Sequence, residues 1–115
     1  MNSVVSIYMP VTLEVARSVE AEGIGGLATS SVDTFFPVFD RFLAINQARA
    51  LARSSSEGAG AVLSMAIKQE AVSTWVAPWQ TETEMAEGLV LPLESLAEFE
   101  GDLIGSVELV GRYSA

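Results

Sequence analysis

The 115-residue sequence contains neither cysteine nor histidine. Without cysteine, the chain forms no disulfide and offers no thiolate as a nucleophile or metal ligand. Without histidine, it lacks the commonest general base and the commonest ligand of transition metals, so a Ser-His-Asp triad is excluded. The acidic residues also lack the spacing of a calcium-binding helix–loop–helix, and we predict no metal site.

Long apolar runs and positive charges at the N-terminus are absent as well. No apolar run approaches the roughly 18 residues that a membrane-spanning helix needs. The N-terminal segment Met-Asn-Ser-Val-Val-Ser-Ile lacks the positive charge that opens a signal peptide. We therefore expect a cytoplasmic protein that does not enter a membrane.

Basic residues are few, and acidic residues are unevenly distributed. The chain has 15 acidic and 6 basic residues, which gives a net charge of −9. Eight of the acids lie between residues 82 and 108, where there is no base. Such a field repels phosphate backbones, so we expect no nucleic-acid partner. Two interpretations remain: an acidic surface that attracts a basic protein, or a solvated face that maintains solubility.

Apolar residues make up half of the chain, and charged residues make up 18%. This composition is typical of a folded protein, and the length predicts a single domain over residues 1–115. The mean hydropathy of +0.37 is high for so short a chain. It predicts some apolar surface that faces a partner in addition to the core.

The N-terminal half alternates between strand and helix patterns. Residues 3–8 are rich in β-formers and stop before Pro10, which predicts a strand. Thr12 is placed to cap a helix that ends at Gly23. Residues 25–31 read as a loop or a weak strand.

A second helix is predicted from about residue 38 to residue 53, with Pro37 able to open its first turn. Its periodicity puts Phe42, Ile45, Ala48 (or Arg49) and Ala52 on one side of the helix, with Leu51 beside them. Three arginines of this helix lie close to one stripe, which is either a solvated basic edge or a contact for an anion or a partner; they are Arg41, Arg49 and Arg53.

Residues 61–67 form a near-continuous apolar run. A strand of this kind is covered on both faces, so we predict a central strand between the strands that start near Ser3 and end near Tyr113. Residues 72–76 are predicted as a short strand, and Trp75 as a core anchor.

The C-terminal part contains a short strand that stops at Pro92, one or two turns of helix, and a closing strand. The order of elements predicts an α+β fold with a mostly antiparallel sheet. Two main helices lie in the N-terminal half, and a short helix lies between the last two strands.

Four phenylalanines lie close together in the sequence, and they exceed what one helix face needs in a domain of this size: Phe35, Phe36, Phe39 and Phe42. We predict that part of this group lies in a homodimer interface.

Several short segments, taken in chain order, resemble the small ADP-ribosyltransferase-type fold of the bacterial toxin-related group. The segments are Ile-Tyr-Met-Pro-Val-Thr (7–12), Val-Glu-Ala-Glu-Gly-Ile (19–24), Gln-Ala-Arg-Ala-Leu-Ala (47–52), Gly-Ala-Val-Leu-Ser-Met (60–65), Glu-Gly-Leu-Val-Leu-Pro (87–92), Leu-Ala-Glu-Phe-Glu (96–100) and Ile-Gly-Ser-Val-Glu (104–108). The resemblance implies NAD as cofactor and Glu87 as the catalytic carboxylate. It implies that Tyr8, Thr12 and Ser30 or Ser31 surround the nucleotide. Met9 stands where the family has a histidine or arginine, and a methionine has no donor for a ribose or phosphate.

Two functional hypotheses follow. The first is an acidic protein-binding or regulatory module, comparable in role to immunity proteins and inhibitors, which has no catalytic activity and no cofactor. The second is a divergent NAD-dependent ADP-ribosyltransferase that uses Glu87.

Overall fold

The structure, a computed structural model, describes residues 3–30, 32–76 and 88–114. The strands are β1 (Val4–Thr12), β2 (Thr34–Phe35), β3 (Ala59–Lys68), β4 (Leu91–Pro92) and β5 (Leu103–Ser114). The α-helices are α1 (Leu13–Glu22), α2 (Arg41–Ser54), α3 (Val72–Trp75) and α4 (Leu96–Asp102). Short 3-10 helices cover Gly23–Thr29, Gln69–Ala71 and Leu93–Ser95. The α+β class, the two N-terminal helices and the short helix between the last two strands are confirmed.

The main sheet is antiparallel and has the strand order β1-β3-β5. The pairing of β1 with β3 runs from Val4 opposite Lys68 to Thr12 opposite Gly60. The predicted central strand is therefore confirmed, with the first and last strands on either side. The pairing of β3 with β5 contains two register shifts, and Gly105 of β5 has a φ of 76°.

Strand β1 continues past Pro10, where the sequence predicted a stop. The backbone of Tyr8 forms two hydrogen bonds of 2.8 Å with the backbone of Val38. The backbone N–H and C=O groups of the even-numbered residues of β1 therefore point away from β3. The missing N–H of Pro10 therefore lies on the outer edge, where a proline removes no bond to the neighbouring strand. Val38 also bridges to Gly88, next to the small antiparallel sheet of β2 and β4.

The two faces of the main sheet are covered differently. One face carries the main core, in which Phe99 of α4 and Trp75 of α3 pack on the odd-numbered residues of β1 and β3. The other face packs on α2, whose buried residues are all alanines: Ala44, Ala48 and Ala52. The helix lies very close to the sheet, since a Cβ on Gly60 would be 2.1 Å from the carbonyl oxygen of Ala48.

Local signals at the ends of α1 act as predicted. The Thr12 side chain accepts a hydrogen bond of 3.4 Å from the Val15 N–H, and Gly23 ends the helix with a φ of 77°. Within the described residues, no helix is long and apolar enough to cross a membrane.

Two predictions about α2 are wrong. The helix begins at Arg41 with Asp40 as its cap, because Val38 pairs with β1 instead of continuing a helix from Pro37. Phe42 is 76% exposed, although the periodicity grouped it on one side with Ala48 and Ala52, which are buried. The short distance between helix and sheet admits alanine and leaves no room for phenylalanine.

Two further segments differ from their predictions. Residues 72–76 were expected as a strand, but Val72–Trp75 is helical, because this turn places Trp75 against Phe99 in the core. Gly23–Thr29 is a 3-10 helix rather than a loop or strand. A Cβ on Gly26 would be 2.4 Å from the backbone of Ser18, so glycine allows this segment to lie against α1.

Candidate functional site

Two recesses adjoin one another at the junction of β1 and α1. An apolar compartment of about 500 Å³ lies between this junction, residues 30 and 32–36, and the C-terminal half of α2. A polar compartment of about 630 Å³ lies beside it, along α1 and the residues that follow α2. Four residues line both compartments: Thr12, Val15, Ser30 and Val32. We call the two compartments together the cleft.

Helix α2 forms one wall of the apolar compartment with the side of the helix adjacent to its alanine stripe. That wall consists of Gln47, Ala50 and Leu51. Since the alanine stripe faces the sheet, a neighbouring side of the same helix is free to border an open groove. The cleft is thus a consequence of how α2 lies on the sheet.

The rim of the apolar compartment exposes two apolar side chains. Phe36 is 53% exposed and Val32 is 48% exposed, and both line the compartment. Exposed phenylalanine beside an apolar groove is typical of a surface that is covered when a partner binds. Phe42 is even more exposed but does not line the cleft.

The polar compartment is rich in hydroxyl groups that already serve the local backbone. Ser30 Oγ accepts from the Val32 N–H at 3.1 Å, and Ser54 Oγ donates to the Leu51 carbonyl oxygen at 3.2 Å. Ser55 Oγ accepts from the Glu57 N–H at 3.3 Å. Hydroxyls that accept in this way retain a proton to donate, so they can also bind an acceptor on a ligand.

Two side-chain contacts join α1 to the turn that follows α2. Ser56 Oγ donates to Glu14 Oε1 at 2.6 Å, and Arg17 Nη1 donates to Glu57 Oε1 at 2.7 Å. Both contacts are at the surface, where each contributes on the order of 1 kcal/mol or less. Their main effect is to hold the turn after α2 in place beside α1, and both segments line the polar compartment.

The charge of the cleft is negative. Glu14 lines the polar compartment, and the exposed Asp33 lies between two residues of the apolar wall, Val32 and Thr34. Among the described residues, neither carboxylate forms an ion pair, and no basic residue lines either compartment. The arginines of α2 therefore do not contribute a positive charge to the cleft walls.

The structure brings together two of the residues that the sequence analysis named. Thr12 and Ser30 both line the cleft. Tyr8 does not line the cleft, because it packs with the N-terminal part of α2 on the face of the main sheet opposite the main core. Met9 is fully buried in the main core. Glu87 and Ser31 lie outside the described residues.

Several cleft residues were not predicted from the sequence to belong to a common site, and of these Phe36 was named only as part of a dimer interface. They are Val15, Val32, Phe36, Gln47, Ala50 and Leu51. The periodic alanines of α2 were the available signal, because they identify the helix face on the sheet and hence the neighbouring side as a wall. No group of acidic residues that could hold a metal ion occurs within the described part of the chain.

Comparison of the chain with protein-family models, with curated proteins and with solved structures found no match.

Proposed function

We propose that this protein is a binding module without catalytic activity, which recognises another protein through the cleft and acts in the manner of an immunity protein or inhibitor. The observation that carries the proposal is the apolar compartment with exposed Phe36 and Val32 at its rim. A groove of this size is in the range of roughly 300–1,000 Å³ in which side chains and small ligands are bound. Burying an exposed phenylalanine contributes about 1.5–3 kcal/mol, which makes Phe36 suitable as a binding hot spot.

The residue types of the chain support the same proposal. A sequence without histidine or cysteine has few groups suited to proton transfer or nucleophilic attack at neutral pH. In the polar compartment the hydroxyls of Ser30, Ser54 and Ser55 are engaged with neighbouring backbone, and that of Ser56 donates to Glu14. No basic side chain lines the described walls of the cleft.

A divergent ADP-ribosyltransferase is the second candidate, and one observation favours it. Thr12 and Ser30, which the family resemblance placed around NAD, line the same cleft. The charge of the cleft opposes it, because a pyrophosphate would meet Glu14 and no basic residue of the described walls. We therefore expect NAD to bind no more tightly than about 1 mM, or about −4 kcal/mol.

Photo-cross-linking tests the first candidate. A benzoylphenylalanine at position 36 should form an adduct with one protein in cells to which this protein is native, and mass spectrometry identifies that protein. The matched control is the same substitution at position 42, since Phe42 is exposed but lies outside the cleft; an adduct there should contain a second copy of this chain and not the partner. The purified pair should then bind in calorimetry, and Phe36→Ser should weaken binding about tenfold or more whereas Phe42→Ser leaves it unchanged.

Two results would support the enzyme instead. One is NAD binding in the micromolar range by calorimetry. The other is loss of biological activity in Glu87→Ala with the circular dichroism spectrum of the fold preserved.

The sequence also predicts a homodimer, and Phe42 is the exposed phenylalanine that lies outside the cleft. Only two of the four clustered phenylalanines are largely exposed, Phe36 and Phe42, while Phe35 is buried and Phe39 packs against the main core. We propose that Phe42 mediates self-association. Sedimentation at micromolar concentrations should show a dimer that Phe42→Ser dissociates, and a concentration-independent monomer would contradict this part of the proposal.

A further inference from the structure

We infer that the cleft binds an extended segment of the partner in which a bulky apolar side chain is followed two residues later by lysine or arginine. The apolar side chain occupies the apolar compartment, and the basic side chain extends into the polar compartment. This inference rests on the proposed function and specifies the chemistry of the partner.

The two compartments adjoin through a shared wall, so one ligand segment can reach both. Thr12 and Val15 contribute to this wall from the β1–α1 junction, and Ser30 and Val32 contribute from the opposite side. In an extended segment, residues two apart point to the same side and lie roughly 7 Å from each other. An apolar residue and a basic residue at this separation match an apolar compartment beside a polar one.

The Glu14 carboxylate determines the sign of the charge that fits the polar compartment. Glu14 lines the polar compartment, and its carboxylate has Ser56 as a hydrogen-bond partner but no cation among the described residues. Asp33 lines neither compartment, but it is exposed and adjacent in the chain to Val32 and Thr34 of the apolar wall, so it adds negative charge near the cleft. The one ion pair nearby, Arg17 with Glu57, has no net charge. A cationic side chain of the partner would complement these carboxylates, and the net charge of −9 would attract a basic partner over longer distances.

The hydroxyl groups also suit this ligand. Those of Ser30 and Ser55 accept from backbone N–H groups and keep their protons for donation. They can therefore hydrogen-bond the carbonyl groups of an extended segment while the carboxylates bind its cation.

Three small probes with one apolar body separate shape from charge. They are 4-phenylbutylamine, 4-phenylbutan-1-ol and 4-phenylbutanoate, titrated into ¹⁵N-labelled protein with amide chemical shifts as the readout. All should shift amides of Val15, Val32 and Ala50 with millimolar affinity. The amine should bind about threefold more tightly than the alcohol, and the carboxylate about threefold more weakly, as expected for exposed charge pairs. Added salt should reduce these differences.

Matched variants assign each part of the interaction. Ala50→Trp fills the apolar compartment and should weaken all three probes about tenfold, whereas Ala97→Trp, at an exposed alanine of α4, should have no effect. Glu14→Gln combined with Asp33→Asn should abolish the preference for the amine and leave the affinity for the alcohol unchanged. Glu20→Gln, on the same helix as Glu14, is the charge control. If Ala50→Trp does not fold, Phe36→Ser serves as the second variant, since the Phe36 side chain is largely outside the core.

Equal affinities of the three probes, tighter binding of the carboxylate, absence of binding at about 10 mM, or shifts that map outside the cleft would each overturn the inference. Its failure is distinguishable from failure of the proposed function. A cross-linked partner that binds through a segment without a basic residue refutes the inference alone. Selective amine binding in the cleft, with no adduct at position 36, refutes the proposed protein partner alone.

Discussion

The two faces of the main sheet bury their surfaces in opposite ways. The face toward α1, α3 and α4 is filled by large side chains, among them Ile7, Leu63 and Phe99. The face toward α2 is filled by alanines, and Gly60 lets the helix backbone approach the strand. The first face gains stability from apolar area, whereas the second gains it from close contact between backbones. The same difference explains the cleft, because a helix held this close to the sheet keeps its larger side chains at its margins or outside.

The largest expected effect tests the face with large side chains. Phe99→Ala should lower the free energy of unfolding by about 3–5 kcal/mol, because it removes a fully buried ring and its edge-to-face contact with Trp75, whose centroid is 5.2 Å away. Urea denaturation measures the change. Phe42→Ala is the control, measured at protein concentrations low enough to prevent self-association, and should shift stability by no more than about 0.5 kcal/mol. Equal effects of the two substitutions would contradict the burial described here.

The second prediction tests the face with close contacts. Gly60→Ala adds one methyl group, yet it should cost about 1–3 kcal/mol, because that methyl would collide with the backbone of α2. Gly101→Ala is the matched control: a Cβ there meets nothing within 4 Å, and the residue lies in α4. The control should stabilise the protein slightly, since alanine is the better helix former. A neutral Gly60→Ala in thermal unfolding would show that α2 can move away from the sheet.

The third prediction concerns the polar contact at the edge of the large core. Trp75 Nε1 donates to Asp102 Oδ2 at 2.9 Å. The Trp75 side chain is buried, and this bond provides the acceptor that its N–H would otherwise lack. Asp102→Ala should therefore cost about 1–2 kcal/mol. Glu98→Ala, at an exposed residue of the same helix, should change stability very little. Denaturation followed by tryptophan fluorescence measures both variants, and similar losses in the two would argue against the Trp75–Asp102 bond.

The smallest effect is expected at the start of α2. Asp40 Oδ1 accepts from the Phe42 N–H at 2.8 Å and caps the helix. Asp40→Ala should cost about 1 kcal/mol and Asp40→Asn less, because asparagine is also a good cap. Hydrogen exchange should show faster opening of the first turn of α2 in the alanine variant. If the whole helix exchanged at the global rate of unfolding in both variants, the cap would have no local role.

The fold was predictable where local patterns and tertiary packing agree. Residues 61–67 are apolar on both faces, and the structure places them in the strand that is covered on both faces. The caps at Thr12 and Gly23 depend only on neighbouring backbone, so sequence spacing sufficed to find them. On α2 the periodicity placed Ala48 and Ala52 together on one side, and both are buried. Phe42 was grouped with them but is exposed, because the close backbone approach at Gly60 selects alanines.

The cleft was less predictable, since it arises from the positions of segments that are distant in the sequence. Thr12 and Ser30 were named from a family resemblance, and both line the cleft. Tyr8 belongs to the same strand as Thr12 but lies beneath the N-terminal part of α2, where no local pattern distinguishes a covered position from an open one. Ala50 lines the cleft from α2, and Phe36 lines it from the segment that precedes α2. How α2 and that segment lie relative to each other depends on the pairing of Val38 with β1.

The irregular pairing of β5 has a consequence for the behaviour of the protein at high concentration. β5 is twelve residues long and forms the edge of the main sheet, and a flat strand in that position would template the addition of strands from other molecules. The two register shifts against β3 and the left-handed backbone at Gly105 interrupt the regular row of outward-pointing amides and carbonyls. Glu108 and Arg112 add exposed charges along the same strand. The irregularities that weaken the hydrogen bonding between β3 and β5 therefore also protect the unpaired edge of β5 from aggregation with strands of other molecules.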